Sequence, residues 1–222
     1  VKASKQRILL LGPPASGKGT QADHLSRAFG IPYVSTGALL RSECTRGTPL
    51  GIEADSWTSR GLLVPDDLAV RVITAWMAGN GPRFLFDGFP RTTAQAEHLD
   101  KALDAARTPI ELVIFLDLSE REIRRRILDR LTCAECGTTF GGSLHGMKIG
   151  DACPSCGGDL IRRNDDTEEA LSERLRVYRE STLPVVTYYS EKNPSVFHRV
   201  DAGGGSDEIF QKLSALVSAD QG

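Results

Sequence analysis

Short apolar runs alternate along the chain with longer stretches whose apolar residues recur every three or four positions. Ile8–Leu11, Ile31–Val34, Arg83–Asp87, Leu112–Leu116 and Ser195–Val200 have the length and apolar density of strands. Gly17–Phe29, Pro49–Arg60, Asp66–Ala78, Thr92–Ala106, Ser119–Leu131, Thr167–Ser190 and Asp207–Val217 carry helical spacing, and a further helix begins near Leu39–Arg41. In the first of these, Ala22, Leu25, Ala28 and Phe29 share one side, and Ser35 or Thr36 can cap the helix that follows the second strand. Strands alternating with helices predict an α/β fold built on a parallel sheet.

One turn in this pattern carries chemistry. The run Ile8–Leu11 breaks at Gly12, and Gly12, Gly17 and Lys18 match G-x-x-x-x-G-K, with Gly17-Lys18-Gly19-Thr20 opening a helix. Glycines at these places let backbone amides crowd an anion, the helix start adds a positive dipole end, and lysine reaches the outer phosphates. The hydroxyl that usually follows the lysine arrives one residue late, as Thr20 behind Gly19. Such a cradle points to a nucleotide but leaves the reaction open.

Two further groups share its end of the sheet. The strand ending at Asp87 runs into Gly88-Phe89-Pro90-Arg91. Ligands of open parallel sheets bind beyond the strands' carboxyl ends, so Asp87 and Arg91 are expected to face the same crevice as the loop. The basic helix Ser119–Leu131 places Arg126 and Arg130, four residues apart, on one face.

The cysteines add a metal to the picture. Cys133 and Cys136, then Cys153 and Cys156, form two C-x-x-C pairs separated by the 16 residues Gly137–Ala152, while Cys44 stands alone. Four thiolates at this spacing surround one tetrahedral zinc ion and leave no open position, so the zinc is structural. His145 lies between the pairs, but four cysteines already complete the shell. The insertion has few apolar residues, and metal stands in for the missing core. A redox role is disfavoured, because neither pair opens a helix after a strand.

With 27 Lys+Arg against 29 Asp+Glu in 222 residues, the chain is near neutral, which gives no support to nucleic acid or a membrane surface as partner. No apolar stretch approaches the length of a membrane span, and Val1–Arg7 lacks a signal-peptide pattern, so a cytoplasmic protein is expected.

Taken together, the segments GPPASGKGTQ, YVSTGALLR, GLLVPDD, FLFDGFPRT, the cysteine pairs, RRNDD, ERL and the VDAGGG turn resemble adenylate kinase, in the long form whose lid carries a zinc-binding insertion. The resemblance covers almost the whole chain. It implies a nucleoside monophosphate kinase fold with a central parallel five-stranded sheet. Residues 1–35, 79–131 and 163–222 would form the core, 36–78 a helical AMP-binding subdomain and 132–162 the zinc lid. The implied reaction is magnesium-dependent transfer of the terminal phosphoryl group of ATP to AMP, giving two ADP.

The resemblance also implies the site. Ala15, Ser16, Gly17, Lys18, Gly19 and Thr20 would wrap the ATP phosphates, with Arg126, Arg130, Thr139, Phe140 and Gly203 completing that half. Thr36, Arg41, Leu62, Leu63, Val64, Gly88, Phe89, Pro90, Arg91 and Gln95 would take AMP. Arg163 and Arg174 would bridge both nucleotides, Asp87 would hold magnesium through water, and Asp165 and Asp166 would pair with arginines on closure. Lys18, Arg91, Arg126, Arg163 and Arg174 would carry catalysis. A monomer is implied, as is substrate-driven closure, a behaviour known from adenylate kinases themselves. Ala15, Ala38 and Leu62 stand where the family commonly has glycine, an acidic residue and lysine. A UMP or CMP acceptor, or GTP as donor, is the nearest alternative; a nucleotide-switched zinc-ribbon binding module is the distant one.

Overall fold

The computed structural model describes residues 4–58, 62–142, 146–163 and 166–218, and for Arg41 the backbone alone. The expectations for Asp165, for His145, for the last residues of the helix ending at Arg60, and for the Arg41 side chain lie outside the described residues.

Strand β1 (Arg7–Leu11) ends at a glycine-rich loop that opens helix α1 (Lys18–Phe29). There follow β2 (Tyr33–Ser35), α2 (Thr36–Thr45), α3 (Pro49–Thr58), α4 (Asp66–Asn80), β3 (Phe84–Asp87), α5 (Thr93–Ala105), β4 (Leu112–Asp117) and α6 (Glu120–Asp129). A small region with β5 (Arg130–Cys133), β6 (Thr139–Gly141) and β7 (Leu160–Ile161) comes next, then α7 (Glu168–Val177), a π-helical turn (Tyr178–Thr182), α8 (Leu183–Lys192), β8 (Phe197–Asp201) and α9 (Ser206–Ser218).

Five strands form one sheet in the order β2-β3-β1-β4-β8, with every pair parallel. Parallel strands need crossover connections, and the helices supply them on both faces. The strands' period of two divides the core cleanly. Leu9, Leu11, Phe84, Phe86, Val113 and Phe115 pack with α4, α5 and α8, while Ile8, Leu10, Leu85, Leu112, Ile114 and Leu116 pack with α1, α6, α7 and α9. Each of these side chains contributes roughly 1.5–3 kcal/mol by leaving water, so the sheet is a stiff platform for whatever sits at its carboxyl edge.

Three local outcomes differ from the sequence pattern. The basic helix stops at Asp129, and Arg130 is the first residue of β5, with ψ at 129°. Arg126 and Arg130 therefore do not share a helix face; a helical period was continued one turn too far across a junction that has no glycine or proline to mark it. The long helix expected from Thr167 to Ser190 is interrupted by the π-helical turn Tyr178–Thr182. The cysteine region folds as an antiparallel sheet, β6-β5-β7, whose strands of two to four residues are too short for periodicity to reveal.

Helix starts follow the sequence more closely. Ser35, Thr92, Ser119 and Thr167 each cap a helix, with side-chain oxygens accepting from backbone N–H groups three residues on.

Candidate functional site

The loop after β1 owes its path to backbone conformations that few side chains allow. Gly12 has φ 152°, and a Cβ there would stand 2.7 Å from the carbonyl of Leu116, so this position takes only glycine. Gly17, at φ 88°, is the N-cap of α1 and supplies no side-chain oxygen to the helix's first amides. Ala15 adopts φ 58°, a left-handed conformation that costs a residue with a Cβ about 1–2 kcal/mol, which is the structural consequence of having alanine there. Its methyl group packs on the α1 side of the core.

Lys18 folds back over this loop. Its Nζ donates to the carbonyls of Gly12 (2.9 Å) and Pro13 (2.8 Å) and lies 3.4 Å from Ser16 Oγ. Its pKa falls to about 8, chiefly because burial disfavours the ammonium; Asp87 opposes the shift, and Arg91 and Arg130 add to it. The ends of β1 and β3 are paired neighbours, and these three groups lie near enough to Lys18 to act on its charge.

Asp87, nearly buried at the end of β3, points its Oδ2 to within 3.5 Å of the Tyr33 hydroxyl. A Cβ on Gly19 would lie 3.6 Å from the same oxygen. That is ordinary contact, so space alone does not require glycine at position 19, but it sets the start of α1 directly beside the carboxylate. Tyr33 was not singled out in the sequence; its phenol is held neutral by burial and by Asp87. Thr36 Oγ1 reaches the Asp87 carbonyl at 3.5 Å, so the start of α2 is tied to the end of β3.

The turn after β3 contains a cis peptide between Phe89 and Pro90, and Gly88 takes φ 76°. Arg91 Nε donates to the Gly88 carbonyl at 2.8 Å. Gln95 Oε1 accepts from the Arg91 backbone at 2.8 Å, while Gln95 Nε2 donates to Asp66 at 2.7 Å. In the sequence Asp66 is simply the first residue of a helical stretch, and only the fold brings it to this turn. Leu62, Leu63 and Val64 form the extended connector that leads into α4.

The remaining arginines arrive from the β5 side. Arg130 forms a two-pronged ion pair with Asp166, Nε to Oδ2 at 2.8 Å and Nη2 to Oδ1, and Arg174 reaches the same Oδ1 at 3.4 Å. The carboxylate of Asp166 is fully buried between them. Arg163 does not join this group through its Nε, which donates to Thr132 Oγ1 at 3.1 Å. Arg126 Nη2 donates to the Ala202 carbonyl at 2.7 Å, which ties α6 to the turn containing Gly203, and Gly203 N in turn donates to Asp201. Thr139 and Phe140 lie half-buried on β6, across from Thr132 and Leu131.

Neighbouring arginines on α6 face elsewhere. Arg124 pairs with Glu120 and Glu168, and Arg125 with Glu122. Arg124→Ala is expected to change turnover less than about twofold, since exposed pairs of this kind contribute little; a steady-state assay showing a tenfold loss would mean that the functional face of α6 has been misassigned.

The four paired cysteines converge. Their sulfur atoms all lie within 4.8 Å of one another, with Cys133 and Cys156 3.4 Å apart and Cys136 and Cys153 3.8 Å apart. Four thiolates about 2.3 Å from a central zinc would sit about 3.8 Å from each other, so the donor set fits that ion in both number and size. Each pair is shaped by a tight turn: Gly137 and Gly157, at φ 71° and 81°, donate back to the carbonyls of Cys133 and Cys153. Among the described residues the aliphatic side chains buried beside Cys133 and Cys153 are Leu131 and Leu160, with Phe140 and Met147 packed against them. Two leucines cannot offset ordering at about 1–2 kcal/mol per residue over a segment this long, which is the physical case for a metal. Cys44 is unrelated to this cluster, its thiol lying 3.3 Å from the Gly51 carbonyl.

Comparison with known proteins gives the arrangement relatives. A family model described as adenylate kinase matches residues 10–194. An adenylate kinase of Thermodesulfovibrio yellowstonii is 41% identical over 213 residues, 95% of this chain and 98% of its own length. Adenylate kinases of Clostridium kluyveri and Clostridium tetani are 37% and 38% identical, each over 96% of this chain and 98% of their own lengths.

Proposed function

Because the chain belongs to the adenylate kinase family, a phosphotransferase family acting on ATP, AMP and ADP, we propose that the crevice around Lys18 is a two-nucleotide site divided between the loop of β1 and the turn after β3. The observation that carries this reading is the arrangement at the sheet's carboxyl edge, where β1 and β3 pair in parallel, Asp87 stands beside Gly19 of the loop, and Asp87, Arg91 and Arg130 are all near enough to act on the charge of Lys18. One carboxylate and three cations at the carboxyl edge of a parallel sheet match a reaction in which a phosphoryl group moves between two polyanions.

Transfer breaks the bond from the γ-phosphorus to the β–γ bridging oxygen of ATP and forms a bond to an oxygen of the AMP phosphate. No protein nucleophile is needed; the task is to position two phosphate chains in line and offset the charge on the moving group. Lys18 now holds the carbonyls of Gly12 and Pro13, and polyphosphate would take their place with the ammonium following the transferred group. Amides of Ala15 to Thr20 would grip the β-phosphate side. Arg41 and Arg91 would hold the AMP phosphate, and Arg163 and Arg174 would span both nucleotides. Arg130 and Arg174 rest on Asp166 until phosphate competes for them, so the buried Asp166 carboxylate keeps two half-buried guanidiniums paired in the absence of substrate. Arg126, fixed beside the Ala202–Gly203 turn, would meet the donor nucleotide from the other side.

Magnesium would neutralise the β- and γ-phosphates when bound with ATP. Asp87 is suited to hold it through water, since that cation is usually bound by one or two carboxylates with phosphates and waters making up the rest. The four-cysteine cluster would hold zinc as a closed structural site, away from the transfer. On this reading residues 36–78 close over AMP and 132–162 over ATP, with 1–35, 79–131 and 163–222 as the fixed body, and the enzyme works as a monomer in the cytoplasm. No helix among the described residues is long and apolar enough to cross a membrane.

Acceptor choice is tested with a panel of AMP, UMP, CMP and GMP, with ATP as donor. AMP should give the highest kcat/KM; a preference for a pyrimidine would reassign the acceptor.

The depressed Lys18 pKa predicts a pH profile. In the free enzyme the ammonium is lost as pH rises through about 8, whereas bound polyphosphate favours the charged form. The kcat/KM for ATP, which reports the free enzyme, should therefore fall about tenfold per pH unit above that point, with kcat holding to higher pH. A kcat/KM that stays flat to about pH 9.5 would contradict the role given to Lys18.

A further inference from the structure

The side-chain amide of Gln95 has no freedom of orientation. Its Oε1 accepts from the Arg91 backbone N–H at 2.8 Å, and a backbone N–H only donates. Its Nε2 lies 2.7 Å from Asp66 Oδ1, and an ionised carboxylate only accepts. The two neighbours therefore fix which end of the amide is oxygen and which is nitrogen, a choice that heavy-atom positions alone leave open.

Asp66 is itself held in place. It is the first residue of α4, where a negative charge meets the positive end of the helix. The same Oδ1 accepts from Thr92 Oγ1 at 3.0 Å, and that hydroxyl oxygen accepts from the Gln95 backbone N–H at 3.2 Å as the cap of α5. Asp66, Thr92 and Gln95 thus form a closed ring of hydrogen bonds that joins α4 to α5. Gln95 is 2% exposed.

With one Nε2 hydrogen and one Oε1 lone pair committed, the amide retains one donor and one acceptor in a set order. Adenine offers a donor at N6 next to ring acceptors, whereas a 6-oxopurine offers an acceptor at O6 next to a donor at N1. An amide held in one sense can match the first pattern and must turn over to match the second. We propose that Asp66 is a positioning residue that fixes the sense of the Gln95 amide and so selects adenine over 6-oxopurines in the acceptor nucleotide. This rests on Gln95 facing the acceptor base, as proposed above. The charge on Asp66 makes the hold stronger than a neutral partner would, and removing it takes away the restraint on the Nε2 end while the Arg91 N–H still meets Oε1.

The test compares AMP with IMP as acceptor at saturating ATP, in Asp66→Ala and in Asp66→Ser, a residue that still suits a helix start but is too short to reach Gln95. Asp66→Asn, which keeps an accepting Oδ1, and Gln95→Leu serve as references. In both shortened variants the AMP-to-IMP ratio of kcat/KM should fall about tenfold, through a higher KM for AMP, with kcat within about threefold and the KM for ATP unchanged. Asp66→Asn should recover most of the ratio. If Gln95→Leu lowers the ratio while Asp66→Ala and Asp66→Ser leave it intact, Asp66 does not set the amide and the proposal is wrong although the base contact stands. If Gln95→Leu also leaves the ratio intact, the base contact itself fails and the proposal falls with it. An equal loss of kcat with both acceptors and an unaltered ratio would show a merely structural role and would likewise overturn it.

Discussion

Lys18→Ala should lower kcat about 10²–10³-fold without weakening the fold, since a preorganised cation aimed at the moving phosphoryl group acts most strongly in the transition state. The native contacts of its ammonium are loop carbonyls, at 2.9 and 2.8 Å, and Arg91 and Arg130 stand close enough to oppose its charge. Folding therefore gains little from the ammonium. Because its native pKa is depressed, the unfolded chain binds more protons at this group between about pH 8 and the ordinary lysine range, and the charged form opposes folding at neutral pH. The variant's Tm should accordingly equal or exceed that of the parent. Turnover within threefold of the parent would remove Lys18 from the mechanism. A collapse of Tm would show instead that the lysine builds the loop.

Removal of the zinc proposed for the four cysteines is the second large effect. The two cysteine pairs are joined by the 16 residues Gly137–Ala152, and clamping a loop of about this length removes roughly 3 kcal/mol of chain entropy from the unfolded state. In a chain of this size that corresponds to about 6–12 °C in Tm if the region melts with the rest. Chelation or Cys153→Ser should produce such a drop, or, if the small sheet opens by itself, a loss of hydrogen-exchange protection over β5 and β7 first. Cys153 is buried beside Leu131 and Leu160, so the serine variant also places a hydroxyl in that small core. Chelation of the parent separates the two causes. Metal-free protein with an unchanged melting curve and unchanged exchange in this region would refute a structural metal.

Much of this architecture was legible in the chain because its signals are local. The three central strands, β3, β1 and β4, are runs of Leu, Ile, Val and Phe buried on both faces, and several helices begin at Ser or Thr caps that announce themselves. The loop from Gly12 to Lys18 and the cysteine spacing each carry a mechanism in a few residues. What escaped was set by tertiary context. Arg130 leaves the helix because β5 pairs with β6 and β7, an antiparallel arrangement of strands too short to show a period. The π-helical turn at Tyr178–Thr182 inserts where Thr182 reaches the Arg91 carbonyl at 3.2 Å, a contact between residues 91 apart. Asp66 and Tyr33 read as ordinary helix-start and strand residues until the fold sets them against Gln95 and Asp87.

The departure at Ala15 was visible as a missing glycine, but its meaning was not. It takes the left-handed conformation with its methyl group packed on the core, so the loop keeps its path. Leu62 offers its backbone to the connector before α4, where a lysine side chain is not required for the role proposed.

The most direct test of the two-nucleotide reading is ADP formation from ATP and AMP together, with and without magnesium, in protein carrying its metal. Two ADP per ATP consumed, at a rate that falls at least about a hundredfold when magnesium is withheld, is the expected result, since the metal offsets charge on the transferring group. ATP consumption with no dependence on AMP, or no ADP from the pair, would contradict it.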